Sequence, residues 1–391
     1  MAQAPLQFHH GPHVNPLPVN PNPSAPQFGK VDRGFGNPVA LPKNAPRFEQ
    51  PPAIAGPTNL NLPMNVILPQ AAAAAESGKK LVFHMVGDTG GVHGEATETA
   101  IGHAMAAQCT AAAGAAKPAF FYQLGDVIYF NGQSNLYKAQ FYEPYQDYPA
   151  AIFAIAGNHD GDTQTQKGDP VDTEPSLFGF MQNFCDTTPT HVTPYRDTMT
   201  QPYVYWTLDA PLNTIIGLYS NVEGSLDARG RNEQQRWFEQ QMTSAPKDKW
   251  LAVTVHHPPY SLDSAHGGTL DILTAIDRAT VAANRAPDVV FSGHVHNYQR
   301  FSRKVGNRNI PYIVAGAGGY ANDARSMHKL QKGTFTLPFQ TTHPDVKLMN
   351  FNQQEPGFLR VTVTTDAINV EYFLVPFDDS AVTSFDSVQV K

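Results

Sequence analysis

A chain of 391 residues with 41% apolar content and a formal charge of −7 can bury a sizeable core, either one large unit with decorations or two or three domains. Its Lys and Arg are scattered rather than clustered, which gives no electrostatic footprint for nucleic acid or an anionic membrane and points to a small-molecule partner. With only Cys109 and Cys185, a disulfide framework and a thiolate metal site are excluded and at most one bridge is left open.

Residues 1–70 hold 15 of the 33 prolines, with Asn, Gly and Gln between them, a composition that favours polyproline II and builds no core by itself. Phe8, Phe28, Phe35, Phe48, Ile54, Val66, Ile67 and Leu68 are apolar anchors within it. Residues 1–75 therefore read as a Pro-rich arm or linker wrapping a catalytic unit of residues 76–391, with Ala71 to Ala75 as a hinge or short helix. The first 29 residues lack Lys, Arg, Asp and Glu and any sustained apolar run, so no signal peptide is expected. No stretch approaches the roughly 18 apolar residues of a membrane span. The expected compartment is the cytoplasm, or the secreted or periplasmic space with a signal removed; composition is silent on oligomeric state.

From Lys79 the texture changes. Leu81 to Val86 predicts a buried strand that stops at Gly87-Asp88, and an Ala-rich helix follows from Glu95 to Ala116, with Cys109 on the buried face of Ile101 and Met105. Ala119 to Leu124 is a second strand ending at Gly125-Asp126, and Ala151 to Ala156 a third ending at Gly157-Asn158. Strand, helix and strand at this spacing predict parallel βαβ units with ligand sites at the carboxyl ends of the strands. Residues 163–200 show no sustained period and read as a long irregular excursion, a common form for a lid. Tyr203 to Leu208 and Asn213 to Tyr219 predict a strand pair, followed by an amphipathic helix around Asn232 to Met242. Further strands are expected at Trp250 to Val255, Val289 to Ser292 and Tyr312 to Ala315, and a terminal hairpin joins Phe358 to Thr364 with Ala367 to Leu374. Strands on both sides of the motif region predict an α/β fold of two packed, mixed sheets flanked by helices.

Five short blocks then carry the chemistry: Gly87-Asp88, Gly125-Asp126-Val127-Ile128-Tyr129, Gly157-Asn158-His159-Asp160, Val253-Thr254-Val255-His256 and Gly293-His294-Val295-His296. Each sets an oxygen or imidazole donor just after an apolar run, so five strand ends can converge on hard to borderline metals. Asp126 is the candidate bridge, because one carboxylate can give an oxygen to each of two metals. Asn158 offers a neutral carbonyl oxygen, which limits the negative charge an anionic phosphate must meet. His294 and His296 stand two apart and face the same side of an extended segment. His256 closes another strand, but by spacing alone its neighbour His257 competes for the same role.

The set resembles the calcineurin-like metallophosphoesterase superfamily and, within it, the purple acid phosphatases, especially the small tartrate-resistant type. The resemblance rests on Gly87-Asp88-Thr89-Gly90-Gly91-Val92, Gly125-Asp126-Val127-Ile128-Tyr129-Phe130, Ala156-Gly157-Asn158-His159-Asp160, Ala315-Gly316-Ala317-Gly318 and the two His blocks, and covers about residues 80–375. Most of the superfamily places a His two residues after the first Asp; here that position is Gly90, and Tyr129 takes the role as in purple acid phosphatases. The resemblance implies a four-layer α/β/β/α sandwich. It implies one iron held by Asp88, Asp126, Tyr129 and His296, and a second metal, iron, zinc or manganese, held by Asp126, Asn158, His256 and His294. It further implies that His159 contacts the substrate phosphate and that His266 is a second phosphate-binding or general-acid residue. The expected activity is hydrolysis of small phosphomonoesters by in-line attack of a metal-bound hydroxide, with His159 or His266 assisting the leaving group. A phosphodiesterase or nucleotide hydrolase on the same core is the alternative enzyme, and a non-catalytic binding protein the alternative class. The 163–200 excursion and the Pro-rich arm depart from the small type.

Overall fold

The computed structural model describes residues 60–162, 174–186, 189–191, 193–222, 226–228, 230–333 and 335–391. The arm up to residue 59 and the first part of the expected lid, 163–173, lie outside the described residues.

The described chain begins with β1 (Asn61–Pro63), α1 (Met64–Ile67) and α2 (Pro69–Gly78). Pro69 stands at the first position of α2, where the missing N–H has no helical partner to lose. Lys79 closes that helix in a left-handed conformation, φ 47°, and donates its N–H to Ala75 and Glu76. The boundary expected at residue 75 thus falls inside a helix whose Ala72 and Ala75 are buried, as are Leu60 and Met64 before it.

β2 (Lys80–Val86), α3 (Ala96–Ala111), β3 (Phe120–Gln123) and β4 (Ala151–Ala154) follow as the predicted units. The strands are mostly apolar and almost wholly buried because both faces are covered. They pair in parallel, His84 beside Phe121 and Phe121 beside Ile152. α3 lays Ile101, Met105 and Cys109 on this sheet at helical spacing. Both cysteines are free thiols.

After the short α4 (Asn158–Gly161), the expected irregular excursion contains α5 (Phe178–Phe184), which sinks Phe180 and Phe184 into the core. Seven residues are too few to display a period against the surrounding Thr, Pro and Gln. β5 (Trp206–Asp209) and β6 (Asn213–Leu218) form the antiparallel pair, and α6 (Glu233–Ser244), β7 (Trp250–Val255), α7 (Leu270–Ala283) and β8 (Val289–Ser292) continue the chain. α7 was not expected, although Ile272, Ala275, Ile276 and Ala279 mark its buried face. With Phe238 and Met242 of α6 it packs on Leu218, Val253 and Val290. β9 (Tyr298–Val305) and β10 (Arg308–Ala315) make a tight hairpin, β11 (Phe339–Gln340) and β12 (Val346–Asn352) extend it, and β13 (Gly357–Thr364), β14 (Ile368–Leu374) and β15 (Thr383–Val390) end the chain.

Two mixed sheets result. One has nine strands in the order β1-β5-β6-β7-β8-β10-β9-β12-β11, the other six in the order β15-β14-β13-β2-β3-β4. They face each other through aromatic rings. Trp206 stacks on Tyr122 at 5.8 Å and donates its indole N–H to Ala154 O at 3.1 Å; Tyr298 stacks on Tyr372 at 4.0 Å. Truncating a ring of this kind typically costs about 3–5 kcal/mol, so these rings fix the sheets' mutual placement. The carboxyl ends of β2, β3 and β4 in one sheet meet those of β7 and β8 in the other, and the five motif blocks are the loops at that meeting. Among the described residues no helix is long and apolar enough to cross a membrane.

Candidate metal centre

The loops after β2 and β3 continue the sheet pairing for two further residues: Asp88 donates its N–H to Gly125 O at 2.9 Å and Thr89 to Asp126 O at 3.1 Å. Asp88 and Asp126 then take left-handed conformations, φ 58° and 54°, as does His294 at 69°. Non-glycine residues persist there only when the surroundings over-determine them, a pattern typical of functional sites. Glycines open the space. A Cβ on Gly157 would lie 2.1 Å from Asp126 Oδ1, and one on Gly293 or Gly316 would lie 2.6 Å from Asp88 Oδ2.

All seven residues expected to hold metal come together, and all are buried. In one half, Tyr129 Oη lies 3.4 Å from Asp88 Oδ1 and 3.2 Å from His296 Nε2, and that nitrogen is 3.4 Å from Asp88 Oδ1. In the other, Asn158 Oδ1 faces His256 Nε2 at 3.1 Å and His294 Nδ1 at 3.0 Å, and Asp126 Oδ2 faces His256 Nε2 at 3.2 Å. The adjacent imidazoles of His256 and His257 diverge. His256 turns into the cluster, whereas His257 Nδ1 meets Ser220 Oγ at 2.7 Å.

Tyr129 also accounts for Gly90. A Cβ at position 90 would come within 2.8 Å of the Tyr129 ring and 2.7 Å of Gln140 Oε1, so the phenol occupies the room that a side chain there would need.

The donor set fits a pair of cations. Donors bound at about 2.0–2.2 Å lie about 3.0–3.5 Å apart around one ion, the spacing these side chains keep. Asp88 and Asp126 are fully buried, and among the described residues no Lys or Arg reaches either. His256 Nδ1–H donates to Leu124 O at 2.9 Å, which aims the Nε2 lone pair at two oxygens. That arrangement holds only with a positive centre on Nε2. Without a metal the centre is a proton. Burial opposes it, but the Asp126 carboxylate, with Asp88 behind, outweighs burial and pushes the His256 pKa up to about 9. Burial, reinforced by nearby imidazoles, holds His296 neutral, which is the form that ligates. Burial raises Asp88 well above the usual carboxylate range; Asp126 is also buried, but His256 and His159 draw it below. Buried carboxylates driven apart in this way mark a site built around charge.

The two residues expected to act on substrate are close by. His159 Nδ1–H donates to Phe130 O at 2.9 Å, and its backbone N–H holds Asp126 Oδ1 at 2.8 Å. His266 lies 5.2 Å, ring to ring, from His294.

Several supporting residues were not foreseen. Asp160 accepts from the N–H groups of Gly157 and Val127 at 2.8 and 3.1 Å and so ties two ligand loops together; burial, with Asp126 nearby, lifts its pKa to about 7. Gln140 brackets Tyr129, accepting its N–H at 2.8 Å and donating to its carbonyl at 3.1 Å. Tyr320 covers His296 at 3.9 Å. The only sequence signal among these was Asp160, which stands inside the Asn158-His159 block. A cavity of about 580 Å³ lies at the other end of the sheet, beside Ile67, Leu81, Pro118 and Pro149. It is lined by no carboxylate or imidazole, so the chemistry does not reside there.

Comparison with known proteins gives the family. Tartrate-resistant acid phosphatase type 5 of Homo sapiens is 25% identical over 313 residues, covering 76% of this chain and 90% of that protein. Purple acid phosphatase 22 of Arabidopsis thaliana is 28% identical over 133 residues, 32% of this chain and 29% of the plant protein, so the chain spans under a third of that relative. The solved structure of purple acid phosphatase PPD1 from yellow lupin (Lupinus luteus) seeds shares the fold, with a TM-score of 0.55 at 17% identity over 79% of this chain and 53% of that one. Residues 81–298, more than half of the sequence, match the calcineurin-like phosphoesterase family. The chain belongs to that family and is purple acid phosphatase-like within it.

Proposed function

We propose that this protein is a dinuclear metal-dependent phosphatase acting on small phosphomonoesters. The observation that carries the reading is the pair of donor clusters at 3.0–3.4 Å spacing, with Asp126 in the second and its charge felt at Asp88 and Tyr129 in the first. One iron would be held by Asp88, Asp126, Tyr129 and His296. A second ion, iron, zinc or manganese, would be held by Asp126, Asn158, His256 and His294. When bound, such a pair lowers the pKa of water and neutralises developing charge on phosphoryl oxygens.

The chain's own residues do the remainder. Asp126 keeps Oδ1 on the His159 N–H, which leaves Oδ2 for the shared position. Asn158 completes its half without adding negative charge, so a dianionic monoester still finds a favourable field. Phe130 O can only accept, so the Nδ1 proton of His159 is fixed there and Nε2 is the nitrogen left for a phosphate oxygen. His266, whose ring lies beside that of His294, would donate a proton to the departing alkoxide.

Turnover of a monoester and a diester of the same phenol by the metal-loaded protein tests the reading. Preference for the monoester by tenfold or more in kcat/KM supports it. Preference for the diester would replace it with a phosphodiesterase.

A further inference from the structure

We infer that His328, outside every motif block, is a positioning residue that holds the His266 imidazole in place at the metal centre. The inference rests on the hydrolase reading above for its catalytic consequence, but not for its geometry. The His328 ring lies 4.0 Å from His296 and 4.2 Å from His266, tilted by 16° and 14°, whereas His266 and His296 are 6.3 Å apart. His328 is therefore the middle ring of three. At one end of the stack stands a residue of the donor cluster, at the other the group proposed to serve the leaving group.

The main chain explains why the ring stays there. His328 N–H donates to His296 O at 3.2 Å, His296 N–H donates back to His328 Nδ1 at 3.1 Å, and Asn297 Nδ2 donates to His328 O at 3.1 Å. The next residues turn to the other loop, where Ser264 donates to Lys329 O and Gln331 to Leu262 O, both at 2.9 Å. Residues 328–331 thus form a strap that laces the His296 loop to the His266 loop. His266 itself is steadied on its own loop by Asp263, whose Oδ1 accepts its N–H at 2.6 Å but stands 3.5 Å from the ring nitrogen. The His328 ring adds a face contact to the hold that Asp263 gives.

Asp263, His266 and His328 also have ligand atoms within 4.8 Å of one another, a spacing that by itself would suit a further cation. Two rings 14° from parallel at 4.2 Å keep their in-plane lone pairs in separate planes instead of aiming them at one point. The arrangement orients; it does not chelate.

The test uses the full-length protein, its His328→Ala, His328→Asn and His328→Phe variants, and His266→Ala as reference. Two readouts are taken: turnover of 4-nitrophenyl phosphate against an alkyl phosphate, and the His266 ring resonance in protein loaded with zinc alone, assigned through His266→Ala. His328→Ala and His328→Asn should lose about tenfold or more in kcat with the alkyl ester but less than about threefold with the nitrophenyl ester, with metal content unchanged. Their His266 resonance should move toward an averaged position. His328→Phe, which keeps a ring and loses the nitrogens, should recover most of both. A His266 resonance that stays fixed in His328→Ala and His328→Asn, or an equal loss with both esters, overturns the inference. A resonance that responds in a protein with no wild-type turnover supports the positioning and refutes the hydrolase reading instead.

Discussion

Replacing Tyr129 by Phe removes one oxygen from the cluster and little else. The ring remains packed against His159 and Tyr320 at 4.6 and 5.0 Å, and Gly90 offers no substitute donor. In metal-free protein the lost contacts, 3.2 Å to His296 and 3.4 Å to Asp88, should cost about 1 kcal/mol, a change of a few degrees at most in Tm. The loaded protein should behave differently. An ordinary phenol, with a pKa near 10, resists ionisation at pH 7 by about 4 kcal/mol. Burial, together with the Asp88 and Asp126 carboxylates, pushes Tyr129 further up still. Displacing that proton takes a strongly acidic ion, ferric rather than divalent. Tyr129→Phe should therefore abolish a violet or pink tyrosinate-to-iron band and lower iron content while the fold survives. A visible spectrum and metal analysis on the same samples decide it. A variant with an unchanged band, or a colourless iron-loaded wild type, would refute the reasoning.

Gly157→Ala should destabilise the protein by about 1–3 kcal/mol and lower metal content, because its Cβ would press within 2.1 Å of Asp126 Oδ1; retention of both Tm and metal would contradict the packing. His84 should limit acid stability of the metal-free protein. Burial outweighs its bond to Gln108 and drops its pKa from 6.5 to about 3, so its contribution is intact above pH 6.5 and is lost as pH falls toward 3. The full span is roughly 4–5 kcal/mol, and His84→Gln should flatten that limb of a urea-unfolding series against pH. Deleting residues 1–70 should lower Tm while sparing the metal site, since it removes buried Leu60 and Met64 and the pairing of β1 with β5. An unchanged Tm would show that these residues contribute nothing to the core.

The site was legible where an apolar run ends in a donor: β2, β3, β4, β7 and β8 all follow that pattern, and their last residues converge. It was illegible where partners are set by the crossing of distant loops. His328 meets His296 across 32 positions and Asp160 meets Val127 across 33, with no periodicity to announce either. The adjacent pair His256 and His257 are told apart by the carbonyl of Leu124 on one and the hydroxyl of Ser220 on the other, contacts across 132 and 37 positions. In the fold, α7 escaped notice because Thr274, Thr280 and Val281 break the helical texture outside its buried stripe. β15 has no clean alternation to read, because it is an edge strand exposed along most of its length, Phe385 included.

The central claim is that two ions share Asp126, and metal content per chain, measured on purified wild type and on Asp126→Asn, tests it most directly. An amide is a weaker, neutral ligand at the shared position, so the account predicts two ions per chain in the wild type, one of them iron, and depletion of both in the variant. Two ions retained in Asp126→Asn, or a wild type that turns over phosphomonoesters with one ion or none, would contradict it.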